Sequence, residues 1–253
     1  MTPRKIALIT GASRGLGKSA ALHLAAQGVD ILGTYHSRAD EAQALVTQIE
    51  QLGSRAAMVQ LDVSQSATFA GFADQVTDVL RDVFAQDQFD FLVNNAGIGI
   101  HASFAETTEA QFDQLVAIQF KGPFFLTQKL LPLIRDGGRI LNVSSGLARF
   151  SLPGYAAYAA MKGAMEVLTR YQAKELGARG ISVNILAPGA IETDFGGGAV
   201  RDNASLNAMV ANNTALGRAG LPDDIGGAVA LLLADGGQWI TGQRIEASGG
   251  MFL

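Results

Sequence analysis

The chain has 253 residues, of which 48% are hydrophobic and 17% charged, and its formal net charge at pH 7 is −4. This length and apolar content suit one domain, residues 1–253, with a large buried core, and the acidic balance argues against a nucleic-acid partner. The chain has no cysteine, which excludes disulfides, thiol nucleophiles and cysteine-bound zinc or iron–sulfur centres.

Short β-type runs alternate with longer segments of helical periodicity along the chain. The predicted strands are residues 5–10, 30–35, 56–60, 89–93, 139–143, 182–186 and 244–247. The predicted helices are residues 17–27, 39–52, 66–85, 108–134, 156–177 and 223–234. This alternation predicts βαβ units, a parallel sheet and right-handed crossovers.

One segment departs from the alternation. Residues 190–220 are rich in Gly, Asn and Ala, include the run GGG at 196–198, and follow the end of a predicted strand. Long irregular segments of compact domains are often lids or binding loops. We therefore predict a substrate lid at 190–220.

No segment indicates export or membrane insertion. Arg4 and Lys5 precede an apolar run that ends at Ile9, which is too short for the core of a signal peptide. Other apolar runs, such as residues 228–234, fall far short of a membrane span. We expect a cytoplasmic protein with no membrane partner and, because no His, Asp and Glu cluster has metal-ligand spacing, no metal.

Three glycines follow the first predicted strand, in the stretch TGASRGLG at residues 10–17. Gly11 allows a tight turn, Gly15 lets a phosphate approach the backbone, and Gly17 lets the following helix pack near the strand. A helix N-terminus offers unpaired N–H groups and partial positive charge to a pyrophosphate. The spacing differs from the commoner G-x-G-x-x-G, and an ordinary glycine turn is the alternative.

The second signal is the pair Tyr158 and Lys162, in the stretch YAAMK. On a helix, residues four apart share one face, so the lysine ammonium can lie beside the phenol. A neighbouring cation favours the phenolate, which would make Tyr158 a general acid/base near neutral pH. Alone, the pair is a weak signal.

Together these stretches resemble the short-chain dehydrogenase/reductase family over nearly the whole chain. TGASRGLG matches that family's cofactor loop, NNAG (94–97) its fourth-strand motif, and YAAMK (158–162) its catalytic motif. Ser145 lies 13 residues before Tyr158, which is the family's usual spacing for the catalytic serine. PGAIET (188–193) is similar to the nicotinamide-side segment, and SGGM (248–251) to the C-terminal signature.

The resemblance implies a fold and a set of roles. The fold is a single Rossmann-type doubly wound α/β domain with seven parallel strands in the order 3-2-1-4-5-6-7 and helices on both faces. Tyr158 would protonate the carbonyl oxygen, Ser145 would hydrogen-bond it, and Lys162 would lower the tyrosine pKa and bind the nicotinamide ribose. The catalytic set is completed by Gln119, which stands where the family usually has Asn in N-x-x-G.

The implied cofactor site combines the glycine loop with the ends of several strands. Asp62 would hydrogen-bond the adenine, Asn94 would steady the sheet beside the cofactor, and Thr193 would meet the carboxamide. The predicted cofactor-binding residues are Gly11, Ser13, Arg14, Gly15, Leu16, Gly17, Arg38, Asp62, Val63, Asn94, Ala96, Gly97, Tyr158, Lys162, Pro188, Gly189, Ile191 and Thr193.

Arg14 and the end of the second strand indicate which nicotinamide cofactor is used. A guanidinium can grip a ribose 2′-phosphate in a bidentate manner, whereas NAD enzymes of this type carry an acid at the end of the second strand. That position is Tyr35, and no carboxylate occurs until Asp40. Arg38 adds a second cation. We predict NADP(H), with solvated surface arginines as the alternative.

The predicted function is that of an NADP(H)-dependent oxidoreductase that interconverts a ketone and a secondary alcohol, similar in general to ketoacyl-carrier-protein reductases. The partner is a small-molecule carbonyl or alcohol substrate. Two alternatives stay open: an NAD-linked sugar or steroid alcohol dehydrogenase, and a catalytically silent dinucleotide-binding sensor or scaffold. The family's assembly habit implies a homotetramer. Among other residues, His101 could touch substrate near the mouth of the site, and Phe150 and Phe195 could line an apolar pocket.

Overall fold

Seven parallel strands form one sheet in a computed structural model that describes residues 4–253, so the first three residues of the predicted 1–253 domain lie outside the described residues. The strands follow the order β3-β2-β1-β4-β5-β6-β7, as predicted. Their bounds are Ile6–Ile9 (β1), Asp30–Tyr35 (β2), Ala56–Gln60 (β3), Phe89–Asn94 (β4), Ile134–Val143 (β5), Ser182–Pro188 (β6) and Arg244–Ala247 (β7).

Helices cover both faces of this sheet. Their bounds are Gly15–Ala26 (α1), Ala39–Gln51 (α2), Phe69–Phe84 (α3), Glu109–Val116 (α4), Gly122–Leu130 (α5), Ala156–Leu176 (α6), Ala199–Asp202 (α7), Ala204–Asn212 (α8) and Pro222–Leu233 (α9). Alternate residues of β1 point to opposite faces. Ala7 and Ile9 pack in the core beneath α1, α2 and α9, whereas Ile6 and Leu8 pack beneath α3, α5 and α6.

The predicted helix 108–134 is the main point where the structure differs from the sequence pattern. It is divided into α4, a π-helical turn at Ala117–Lys121, and α5. A Cβ on Gly122 would collide with the carbonyl oxygen of Val63. The backbone of α5 therefore approaches the chain after β3 at the end of the π-helical turn.

β5 begins at Ile134 and not at residue 139, so the predicted helix extends too far. Ile134 pairs with Phe89, and the register then shifts so that Arg139 pairs with Phe91. Two consecutive glycines, Gly137 and Gly138, lie within this irregular stretch. A short 3-10 turn at Leu131–Leu133 joins α5 to the strand.

The predicted lid, 190–220, has helical structure of its own. It contains a 3-10 turn at Phe195–Gly198 together with α7 and α8. Its two ends lie together, since Gly220 N–H donates to the Ala190 carbonyl at 2.9 Å and Glu192 N–H donates to the Gly220 carbonyl at 2.9 Å. The segment is thus a loop closed at its base, beside the carboxyl end of β6.

Candidate active site

The glycine loop leaves bare backbone at the start of α1. Gly15 has a φ of +56°, and the only atoms near the position of a Cβ there belong to Thr193, at 3.8 and 3.9 Å. Arg14 is the N-cap of α1, but its side chain caps no backbone N–H. The first turn therefore faces a gap bordered by Thr193. Unpaired N–H groups and partial positive charge at such a terminus suit a phosphate.

Gly17 shows why the loop must be so compact. A Cβ at this position would collide with the Gly11 carbonyl oxygen and would lie 2.6 Å from Asn95 Nδ2. That amide donates hydrogen bonds to the carbonyls of Thr10, at 2.9 Å, and Gly11, at 3.1 Å. The NNAG motif therefore fixes the shape of the loop through Asn95, a residue we had not singled out although it lies inside the motif.

Asn94, the preceding residue, supports the sheet from within. Its Nδ2 donates to Thr127 Oγ1 at 3.0 Å and to Asn142 Oδ1 at 2.8 Å, and the side chain is buried. The structure thus places the Asn94 amide between β4, β5 and α5. This arrangement agrees with the role of steadying the sheet beside the cofactor region.

The catalytic candidates meet at the carboxyl end of β5. Ser145 follows this strand, and Tyr158 and Lys162 lie on α6, both buried. The Ser145 side chain lies close enough to the Tyr158 phenol to lower its pKa, and its Oγ accepts from Leu147 N–H at 3.2 Å. Lys162 Nζ donates to the Val143 carbonyl at 2.8 Å and lies 5.6 Å from the centre of the Tyr158 ring.

Burial dominates the acid–base properties of this group. It raises the pKa of Tyr158, which the neighbouring Ser145 hydroxyl opposes, and it lowers the pKa of Lys162 to about 7. Each shift favours the uncharged form, as removal from water does. The prediction that Lys162 lowers the pKa of Tyr158 is therefore wrong for this structure, because burial outweighs the effect of a neighbouring cation and itself reduces the charge on the lysine.

Gln119 lies on the π-helical turn, and its side chain is only 2% exposed. Its Nε2 donates to the Ile98 carbonyl. Its Oε1 is buried and accepts no hydrogen bond from residues 4–253. This oxygen would lie 2.9 Å from a Cβ on Gly97, so Gln119 packs directly behind the end of the NNAG motif.

Two of the predicted cofactor-binding residues are arginines at helix starts, Arg14 at the N-cap of α1 and Arg38 at the N-cap of α2. Arg14 Nη1 is 3.5 Å from Asp194 Oδ2, and Arg38 Nη1 is 3.0 Å from Glu41 Oε1; both guanidiniums are about half exposed. The pKa of Asp194 is lowered by a hydrogen bond from Arg201 and further by the charges of Arg14 and Arg38. Asp194, which the sequence analysis does not indicate, is thus a carboxylate that interacts with the positive charges of Arg14, Arg38 and Arg201.

The remaining predicted residues border the same edge of the sheet. Asp62 and Val63 follow β3, and Asp62 Oδ1 accepts from Ser64 N–H at 2.9 Å and from Ser64 Oγ at 2.7 Å. Burial opposes ionisation of Asp62, but the Ser64 hydrogen bonds outweigh it and lower its pKa. The others lie in the glycine loop, after β4, or at the end of β6 and the base of the lid: Ser13, Leu16, Ala96, Pro188, Gly189 and Ile191.

Across residues 4–253, no group of three or more His, Asp and Glu side chains is arranged to hold a metal ion. In the same part of the chain, no helix is both long and apolar enough to cross a bilayer.

Comparison with known proteins identifies relatives along nearly the entire chain. A family model described as "Enoyl-(Acyl carrier protein) reductase" matches residues 11–252. The 3-oxoacyl-[acyl-carrier-protein] reductase FabG of Staphylococcus epidermidis is 36% identical over 252 residues, which cover 98% of this chain and 99% of that protein.

Two solved structures of similar sequence share the fold. The promiscuous reductase LugOII, which catalyses keto-reduction at C1 during lugdunomycin biosynthesis, has a TM-score of 0.94 and 36% identity, with 99% of each chain covered. The landomycin C-6 ketoreductase LanV, solved with bound NADP and rabelomycin, has a TM-score of 0.89 and 35% identity, with 99% of this chain and 97% of that chain covered.

Proposed function

Because the chain belongs to the short-chain dehydrogenase/reductase family, we propose that it is an NADP(H)-dependent ketoreductase that interconverts a ketone and a secondary alcohol. One observation carries this proposal: the buried Tyr158 phenol lies beside Ser145 and has Lys162 Nζ 5.6 Å from its ring centre, at the carboxyl end of β5. The relatives FabG, LugOII and LanV are named as reductases of keto groups.

The cofactor cleft fits NADP(H) in two respects. The gap between Gly15 and Thr193 accepts a pyrophosphate where any side chain at residue 15 would intrude. The half-exposed guanidiniums of Arg14 and Arg38 can bind a 2′-phosphate, while β2 ends without a carboxylate to bind a free 2′-hydroxyl. NADP is bound in LanV. When bound, NADPH supplies the hydride for reduction and NADP⁺ accepts it in the reverse direction.

Tyr158 holds the proton that the carbonyl oxygen requires. Its raised pKa keeps the phenol protonated through neutral pH, and a general acid must be protonated to act. Ser145 orients the phenol and can donate to the same substrate oxygen. These properties favour reduction at neutral pH. Oxidation of an alcohol needs the phenolate, which burial disfavours and which only the charged form of Lys162 would stabilise.

Gln119 is proposed to support the supply of protons to Lys162. Its buried Oε1 has no partner among the described residues, and a buried unsatisfied carbonyl is costly unless water or another donor reaches it. Gln keeps the amide of the family's Asn with one more methylene. We place this oxygen in the proton path as a water acceptor, and its test is given in the Discussion.

The test of the function is a panel of ketones and alcohols with each nicotinamide cofactor, followed by absorbance at the nicotinamide band. We expect NADPH-dependent reduction of at least one ketone, including an acetoacetyl thioester, and its near-complete loss in Tyr158→Phe. Tyr171→Phe is the matched control, because Tyr171 is an exposed tyrosine on the same helix. Tight NADPH binding without any turnover would favour the sensor alternative, and a preference for NADH would favour the NAD-linked dehydrogenase.

The assembly is proposed to be a homotetramer in the cytoplasm. An exposed apolar face lies on α4, α5 and α6, and large contiguous faces of this kind mark interaction surfaces. Its residues are Phe112, Phe124, Phe125, Val167 and Tyr171. Light scattering at micromolar concentration should give four times the mass of the chain, and a stable monomer would contradict the proposal.

A further inference from the structure

Two aromatic rings lie beside the Tyr158 ring, and a third lies against one of them. The Phe195 ring, from the lid, has its centre 5.8 Å from that of Tyr158 at an interplanar angle of 58°. Tyr155 lies 6.5 Å away at 69°, and His101 lies 5.0 Å from Tyr155 at 77°. Three chain segments therefore supply rings to one cluster that contains the proposed general acid.

Two glycines make room for these rings. A Cβ on Gly99 would lie 2.6 Å from two carbons of the Phe195 ring. Gly154, with a φ of +91°, approaches the His101 ring so closely that a Cβ would collide with it. Ala102 N–H donates to the Gly154 carbonyl at 3.0 Å and ties these two loops together. The backbone is thus shaped to admit the Phe195 and His101 rings into this cluster.

The ring cluster is not fully buried by the protein itself. Phe195 is 45% exposed and His101 is exposed, although both lie in or next to the cluster around a buried catalytic group. Aromatic rings prefer offset-stacked or edge-to-face partners over partners of arbitrary shape. A flat ring on a ketone bound at Tyr158 can gain ring–ring contacts with these side chains that a puckered saturated ring does not.

We propose that the substrate half of the site is an aromatic slot, formed by His101, Tyr155 and Phe195 around Tyr158, that selects ketones fused to a planar aromatic ring. The inference rests on the ketoreductase function proposed above and assigns the substrate class of that same site.

The test compares β-tetralone with β-decalone, two bicyclic ketones with the same carbon skeleton and no conjugation between the carbonyl and the second ring. Only the tetralone has a flat aromatic second ring. We measure kcat/KM for both with NADPH in the parent and in Phe195→Leu and Tyr155→Leu. Trp239→Leu is the control, because it removes a ring that is 96% exposed before the amino end of β7, at the opposite end of the sheet.

The parent should prefer the tetralone, and each slot variant should reduce that preference about threefold to tenfold, the size of an aromatic pair interaction. Trp239→Leu should leave the preference unchanged. Thermal unfolding of each variant shows whether the fold is retained, and either slot variant suffices if the other does not fold. The KM for NADPH should stay constant.

Several results would overturn the slot. Equal use of both ketones, or a preference unaffected by both slot variants, refutes the slot and leaves the ketoreductase function standing. If neither bicyclic ketone is reduced, the slot is refuted as well. The function is then judged separately by NADPH binding and by reduction of an acetoacetyl thioester.

Discussion

Replacement of Gly15 by alanine separates the role of the glycine loop in folding from its role in cofactor binding. At a φ of +56° an L-residue costs about 1–2 kcal/mol relative to glycine. The added methyl would meet only Thr193, at 3.8 and 3.9 Å, so it adds no collision within the protein. The loss of stability should therefore be limited to the backbone cost, which lowers Tm by about 2–4 °C per kcal/mol for a chain of this size.

Cofactor binding should suffer more than stability does. A phosphate oxygen that accepts from a backbone N–H lies about 2.9 Å from the nitrogen, whereas a methyl carbon keeps other heavy atoms about 3.5–4.0 Å away. The methyl therefore fills the gap that the pyrophosphate needs. We expect the Kd for NADPH to rise at least about tenfold, which corresponds to about 1.4 kcal/mol.

Gly28→Ala is the matched control for this measurement. Gly28 also has a positive φ, +81°, and no atom of residues 4–253 beyond its chain neighbours lies within 4 Å of its Cβ position, but it follows the C-terminal end of α1. Thermal unfolding should show comparable losses in both variants, and calorimetric titration should show weaker NADPH binding only in Gly15→Ala. An unchanged Kd in Gly15→Ala would refute the placement of the pyrophosphate between Gly15 and Thr193.

Three further predictions concern the charge and proton path of the site. Arg14→Ala should weaken NADPH binding about tenfold or more and NADH binding much less, because only NADPH carries the 2′-phosphate; equal losses in fluorescence titrations would show that Arg14 supports the loop instead. Gln119→Ala should lower kcat and alter its pH profile, whereas Gln119→Asn should retain both, and an Ala variant with unchanged turnover and pH dependence would remove Gln119 from the proton path. Because burial lowers the pKa of Lys162 to about 7, the unfolded chain binds more protons than the folded chain between about pH 7 and 10, and stability rises with pH there. Urea unfolding should show that stability rises less with pH in Lys162→Met than in the parent. Lys174→Met, which changes an exposed lysine of the same helix, should retain the full rise in stability. An equal rise in stability in both variants would contradict the effect of burial.

Local sequence patterns predict most of the strands, because the residues of each segment themselves mark where its strand begins and ends. The predicted strands 30–35, 56–60 and 244–247 coincide with the observed ones, and the strand order agrees. The early start of β5 depends instead on the pairing of Ile134 with Phe89 and on the register shift that follows. Those contacts join residues far apart in the chain, which periodicity within one segment does not report.

In the candidate site, too, local motifs are readable from the sequence and contacts between distant residues are not. Motif spacing identified Ser145, Tyr158 and Lys162, and the fold places these three residues together. It did not indicate the pair of Arg14 with Asp194, because that contact exists only when the lid folds against the start of α1. The helical periodicity did not indicate the π-helical turn either, which ends where Gly122 packs closely against the chain after β3.

The closure of the lid at its base affects how this architecture can diversify. Residues on either side of the segment are joined by hydrogen bonds from Gly220 to Ala190 and from Glu192 to Gly220, so the chain leaves and re-enters the sheet region at one point. Doubling the length of a flexible loop with fixed ends costs only about 0.6 kcal/mol of closure entropy. Insertions, deletions or a grafted segment between these anchors therefore cost little in closure entropy and leave β6, the glycine loop and the Tyr158 group in place.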